Sequence, residues 1–187
     1  IITSLTSTPF NNAISVMKAG VNTGKVGEEI QRTIERHGFR SERNLSGHGV
    51  GIYNVHIEPT IPNIKTRGDD LEEGMVVAIE PFASNGLGFV REDVRTDIFS
   101  FQKDVIPRDQ DARKILAFVK ENYDTLPFCE RWLAKVFPEF KMKIALRELL
   151  SREALRSYPA LKDRPGSFVS QSEVTVLVEK DSCVMIT

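Results

Sequence analysis

A chain of 187 residues, 41% hydrophobic and 27% charged, suffices for one domain with a substantial core, or a domain with a small insertion. Its formal net charge of -1 offers no electrostatic footprint for DNA, RNA or an anionic membrane. No apolar run approaches the roughly 20 residues that span a bilayer, and no basic-then-apolar signal pattern opens the sequence, so a cytoplasmic protein is expected.

In chain order, Pro9 to Ala19 carries Ile14, Val16 and Met17 in a helix-compatible pattern that stops at Gly20. A second helix is clearer, with Thr23 as its N-cap, Val26, Ile30 and Ile34 on one stripe, and Gly38 just past its end. His37 closes that helix, where an imidazolium suits the negative end of the macrodipole, and reads as structural. Residues 40–66 read as short extended pieces broken by Gly and Pro. Met75 to Glu80 is a compact strand, and Gly86 to Val90 is expected to begin its hairpin partner. From Asp109 to Leu155 the pattern is helical, with Ala112, Ile115, Leu116 and Val119 on one face. A further helix starts near Pro138 and aligns Met142, Ala145, Leu146, Leu149 and Leu150. Tyr158 to Gly166 reads as a Pro-punctuated loop. Phe168 to Val178 returns to strand, placing Gln171, Glu173 and Thr175 on one face. The fold class is α+β, with a helical block between two strands that each carry a carboxylate. Cys129 and Cys183 stand far apart and read as reduced thiols.

The chemistry concentrates in Asn44-Leu-Ser-Gly-His48-Gly-Val-Gly51 and in His56, eight residues beyond His48. A histidine between two glycines is open to close approach by a ligand, and a metal is the commonest partner of a neutral imidazole. His56 reads equally as a strand cap or as a group that meets substrate. Glu80, ending an apolar strand just before Pro81, needs a cation or a hydrogen-bond donor. Glu173 reads either as part of an exposed polar face or as a fourth functional group. Gly47-x-Gly49-x-Gly51 lacks the spacing and following helix of a dinucleotide site, and no Cys-x-x-Cys zinc pattern occurs.

These residues resemble the type II methionine aminopeptidases, which have the pita-bread fold: an antiparallel sheet with flanking helices. Asn44 to Gly49 is similar to that family's metal-histidine motif, and Val55-His56 with Pro62 to its second histidine. Ala78-Ile-Glu80-Pro-Phe82 resembles its first glutamate strand, and Gln171-Ser-Glu173 stands where its last metal-binding glutamate sits. Thr125-Leu-Pro-Phe-Cys-Glu-Arg-Trp132-Leu133 is similar to a signature within the helical insertion of the type II class. The resemblance divides the chain into 1–105, a carboxy-terminal part of the catalytic domain, 106–160, the helical insertion, and 161–187, the final strands. It implies His48, Glu80 and Glu173 as metal ligands, with Glu80 also the general base and His56 a catalytic group bonded to substrate. Phe82 and Tyr158 would join His56 in binding the substrate, lining the pocket for the methionine side chain. The implied cofactors are two divalent ions (Co, Mn, Fe or Zn) that hold a hydroxide and polarise the peptide carbonyl. The implied partner is the N-terminal methionine of nascent polypeptides, with the ribosome nearby and a monomeric full-length protein.

The sequence departs from that pattern in three places. No Asp precedes Asp69, so the two aspartate ligands of the family are missing from the amino-terminal part; with the start at Ile1, this points to a truncated fragment, inactive alone. Val174 follows the last glutamate where the family commonly has His, and Ile57-Glu-Pro59 replaces small residues after the second histidine. Two alternatives share the shell: a non-catalytic pita-bread binding protein of ribosome- or chromatin-associated type, and a proline-specific peptidase.

Overall fold

The computed structural model describes residues 7–187. It divides into two compact units, one taking the residues up to Arg91 and again from Lys162, the other Glu92–Leu161.

The first unit opens with helices α1 (Ser7–Val16) and α2 (Thr23–Arg36). Asn22, not Thr23, caps α2: its side-chain oxygen accepts from Gly24 N at 3.1 Å while its amide donates to Gly68 O at 2.7 Å. The longer carboxamide serves both the helix end and the neighbouring loop, and Thr23 Oγ1 is buried without a hydrogen bond. The stripe of Val26, Ile30 and Ile34 is buried as the spacing demands, and Gly38 takes the left-handed conformation (φ 78°) expected just past the helix. The stripe packs on Ile61, Val77, Ile79, Val174 and Val176; each such side chain, fully buried, contributes about 1.5–3 kcal/mol.

Beneath these helices run β1 (Arg40–Ser41), β2 (Ser46–Gly51), β3 (Asn54–Pro62), β4 (Val76–Ile79), β5 (Phe82–Ser84), β9 (Val169–Gln171), β10 (Val174–Val178) and β11 (Cys183–Met185). They form an antiparallel five-stranded sheet in the order β11-β10-β4-β2-β3 and a three-stranded one in the order β1-β5-β9. Three times the chain passes from one sheet to the other within a few residues: between β1 and β2, at Glu80-Pro81, and at Ser172-Glu173. Phe168 to Val178 is therefore two strands with a break, not one. Ser172 N at that break donates to Pro81 O at 3.3 Å and leaves both ladders.

Gly86 to Val90 is not a strand, and β4 pairs instead with β2 and β10. Side chains satisfy its backbone: Leu87 N and Gly88 N donate to the Asp163 carboxylate, Arg43 donates to Leu87 O and Gly88 O, and Asn44 bonds both N and O of Val90. Groups so engaged are not available to a ladder.

The second unit holds all but the first residue of β6 (Arg91–Phe101), then α3 (Gln110–Asn122), β7 (Phe128–Cys129), α4 (Glu130–Leu133), α5 (Glu139–Ser151) and all but the last residue of β8 (Leu155–Lys162), with the sheet order β7-β6-β8. Asp109 caps α3 through a 2.8 Å bond to Ala112 N. Met142, Ala145, Leu146 and Leu149 are buried on α5 as the spacing predicts. The Thr125–Leu133 signature is a packing motif: Phe128 and Leu133 are fully buried, and Tyr123 stacks on Phe128 with ring centroids 5.3 Å apart. Tyr158 to Lys162, expected as loop, belongs to β8. The strand lies at a sheet edge, where Pro159 costs no central ladder bond. Both cysteines are free thiols, and no helix among the described residues is long and apolar enough to cross a membrane.

Candidate metal centre

Gly47 and Gly49 flank His48 for a reason other than ligand access. A Cβ on Gly47 would lie 2.1 Å from Ala78 O, and one on Gly49 would lie 2.3 Å from Glu58 O. The glycines let β2 nest between β4 and β3, where His48 pairs with Ala78 on one side and Thr60 on the other.

His48 is thereby held beside the end of β4. Its Nε2 lies 3.0 Å from Glu80 Oε1 and its Nδ1 lies 3.0 Å from Gly49 O. A main-chain oxygen only accepts, so the Nδ1 contact requires a proton there and leaves Nε2 as the nitrogen that can bind a cation. The Glu80 carboxylate, more than any other neighbour, raises the pKa of the imidazole. Both side chains are largely buried, 16% and 12% exposed, so the bond sits in a medium of reduced polarity.

Glu173 reaches the same place from the break between β9 and β10. Gln171 Nε2 donates to Glu80 Oε2 at 2.7 Å and to Glu173 Oε2 at 3.4 Å, so one amide spans two carboxylates. Burial first, then the Glu80 charge, raises the pKa of Glu173. His56, on β3, lies edge-on to His48 with ring centroids 4.4 Å apart. Phe82 pairs with Gln171 across the three-stranded sheet.

The structure thus gathers His48, His56, Glu80 and Glu173, with Phe82 close in sequence and register. Tyr158 belongs to the second unit, where its hydroxyl meets Ser100 Oγ at 3.2 Å and Arg156 lies over its ring. Two contributors were given no role in the sequence reading of the centre: Gln171, seen there as a face-mate and motif neighbour of Glu173, and Asn63. The amide of Asn63 donates to Leu45 O and Glu80 O and accepts from Phe82 N. A polar residue directly after the apolar Ile61-Pro62 was the available signal.

An imidazole nitrogen with two carboxylates is a donor set suited to a divalent first-row ion. Among the described residues no three His, Cys, Asp or Glu side chains already converge as a metal cage. The hydrogen bonds from His48 and Gln171 instead hold the carboxylates, and these are the contacts an ion would replace. The donors fit a metal in kind and in neighbourhood.

The sequence profile of metallopeptidase family M24 matches residues 5–106, more than half of the chain. The chain belongs to metallopeptidase family M24. Membership implies a divalent metal in the chemistry of its complete members, and His48 and Glu80 lie within the matched segment. Among curated M24-type relatives, the methionine aminopeptidase of Methanothermobacter thermautotrophicus is 41% identical over 179 residues, covering 95% of this chain and 60% of its own. That of Pyrococcus horikoshii is 44% identical over 180 residues, covering 95% and 61%. The chain therefore spans about three fifths of the length of these relatives. Solved structures agree on the pita-bread fold. A thermophilic Arx1 superposes with a TM-score of 0.78 at 15% identity, covering 98% of this chain and 55% of its own. The methionine aminopeptidase of Thermotoga maritima gives 0.55 at 24%, covering 98% and 49%.

Proposed function

We propose that this M24 chain serves in removing the N-terminal methionine from nascent proteins, as a dinuclear-metal aminopeptidase of the type II class. The observation that carries this is the 41–44% identity to methionine aminopeptidases along 95% of the chain. No comparable relationship favours a non-catalytic binding shell or a proline-specific peptidase.

Bound at His48, Glu80 and Glu173, divalent ions would supply an activated water and a Lewis acid for the scissile carbonyl. Glu80 acts as general base, its second oxygen held by Gln171 so that the carboxylate keeps one orientation. His48 is aimed by its Nδ1 bond to Gly49 O. His56, exposed beside His48, donates to the substrate as negative charge develops on the carbonyl oxygen. Phe82, in register with Gln171, lines the methionine pocket. The ions are Co, Mn, Fe or Zn, and the enzyme works in the cytoplasm, as a monomer, on chains leaving the ribosome.

The test is release of free methionine from a Met-Ala-Ser peptide by the full-length protein with Co2+ or Mn2+. Loss of at least 100-fold in kcat in Glu80→Gln, with the fold retained, is expected. A folded, metal-loaded protein that releases no methionine overturns the reading.

A further inference from the structure

Asn63 follows the last residue of β3 and is 1% exposed. All three of its hydrogen bonds go to main chain where the two sheets meet. Its Nδ2 donates to Leu45 O at 3.1 Å and to Glu80 O at 2.8 Å, and its Oδ1 accepts from Phe82 N at 3.0 Å. Pro81 lies between the last two partners and carries no N–H, so the ladder of β4 ends there. Glu80 O and Phe82 N would be orphaned as the chain leaves one sheet for the other, and the buried carboxamide takes both. Through Leu45 the same group grips the lead-in to β2, three residues before His48.

We propose that Asn63 is the positioning residue of the metal centre: its carboxamide sets the spacing between the strand that carries His48 and the strand end that carries Glu80, and holds the Phe82 wall in register with both. The proposal rests on the reading of His48 and Glu80 as ligands. Two donors and an acceptor in one short planar group are needed. Aspartate keeps the acceptor and loses both donors, and leucine of similar shape leaves three main-chain groups unpaired. Asn63 touches neither metal nor substrate; it acts through Glu80 and Phe82.

The experiment compares Asn63→Leu and Asn63→Asp with Ile30→Ala, a core control on α2 expected to loosen the same unit while leaving all three Asn63 hydrogen bonds in place. Two quantities are read on the full-length protein. The metal-free one is the proton resonance of His48 Nε2–H bonded to Glu80, which is expected to shift or vanish by exchange in both Asn63 variants and to persist in the control. The other is Co2+ affinity by calorimetry, expected to fall about 10–100-fold in the Asn63 variants and to hold within about 2-fold in the control. Should Asn63→Leu not fold, the isosteric Asn63→Asp carries the same comparison. Asn63 variants that lose stability like the control, yet keep the resonance and the affinity, overturn the proposal. If the wild-type protein binds no Co2+ but its His48 resonance still depends on Asn63, the ligand reading fails and the positioning role stands.

Discussion

Ser84 Oγ donates to Asp163 Oδ2 at 2.6 Å across 79 residues of sequence, and both groups act on the buried carboxyl of Glu42. Neither oxygen of Glu42 makes a hydrogen bond of ordinary geometry. Burial first, then the Asp163 charge, pushes its carboxyl up to about 7. Asp163 goes the other way: burial opposes its ionisation, but hydrogen bonds from Ser84, Leu87, Arg164 and Gly88 outweigh this and leave it at about 2.

The pH dependence of stability follows from that pair. Glu42 is raised on folding from 4.5, so its contribution is fully present below 4.5 and lost as pH rises to about 7. Asp163 is lowered from 3.8, so its contribution is present above 3.8 and lost as pH falls to about 2. Glu42→Gln is expected to flatten urea stability between pH 4.5 and 7 and to stabilise the protein at pH 8 by about 2–3 kcal/mol. A variant that keeps the wild-type slope in that window refutes the assignment.

Asp163→Ala removes the acceptor for Ser84 Oγ, Leu87 N and Gly88 N. The expected cost is about 2 kcal/mol, since the buried Ser84 and Gly88 donors lose a charged partner while the exposed Leu87 amide can turn to water. Amide hydrogen exchange should quicken at Leu87 and Gly88 and stay unchanged along α2. Unaltered exchange at the two amides contradicts this account of the loop.

Gly47→Ala tests why glycine precedes His48. The added methyl would sit 2.1 Å from a main-chain oxygen of β4, which has no flexible end to yield. The expected loss is about 3 kcal/mol or more in chemical denaturation. Wild-type stability in this variant would return the glycine to a role in ligand access alone.

His48→Ala separates the centre from the fold. Glu80 keeps its bond from Gln171, so the stability cost should be near 1 kcal/mol. Co2+ affinity of the full-length protein should fall at least 10-fold. Calorimetric binding that is indifferent to His48 removes it from the ligand set.

Local chemistry accounts for what was legible in the sequence. Helices α2, α3 and α5 follow from apolar spacing because a 3.6-residue period leaves a direct mark on the chain. His48, Glu80 and Glu173 stood out because imidazole and carboxylate are costly in apolar strand contexts unless they have partners. Long-range partners decided the rest. The segment Gly86 to Val90 looked like a strand because its strand-like pattern was visible, whereas Asp163, the acceptor that claims its amides, lies more than 70 residues away. Tyr158 looked like loop because Pro159 breaks a strand only where its N–H would be needed, and edge position is a property of the sheet. The sequence by itself determined where imidazole and carboxylate groups interrupt apolar strands. Only the tertiary structure decided that Gln171 spans Glu80 and Glu173, and that Asn63 ties Leu45 to Glu80 and Phe82. These bonds join residues that become neighbours only when the chain has crossed between its two sheets.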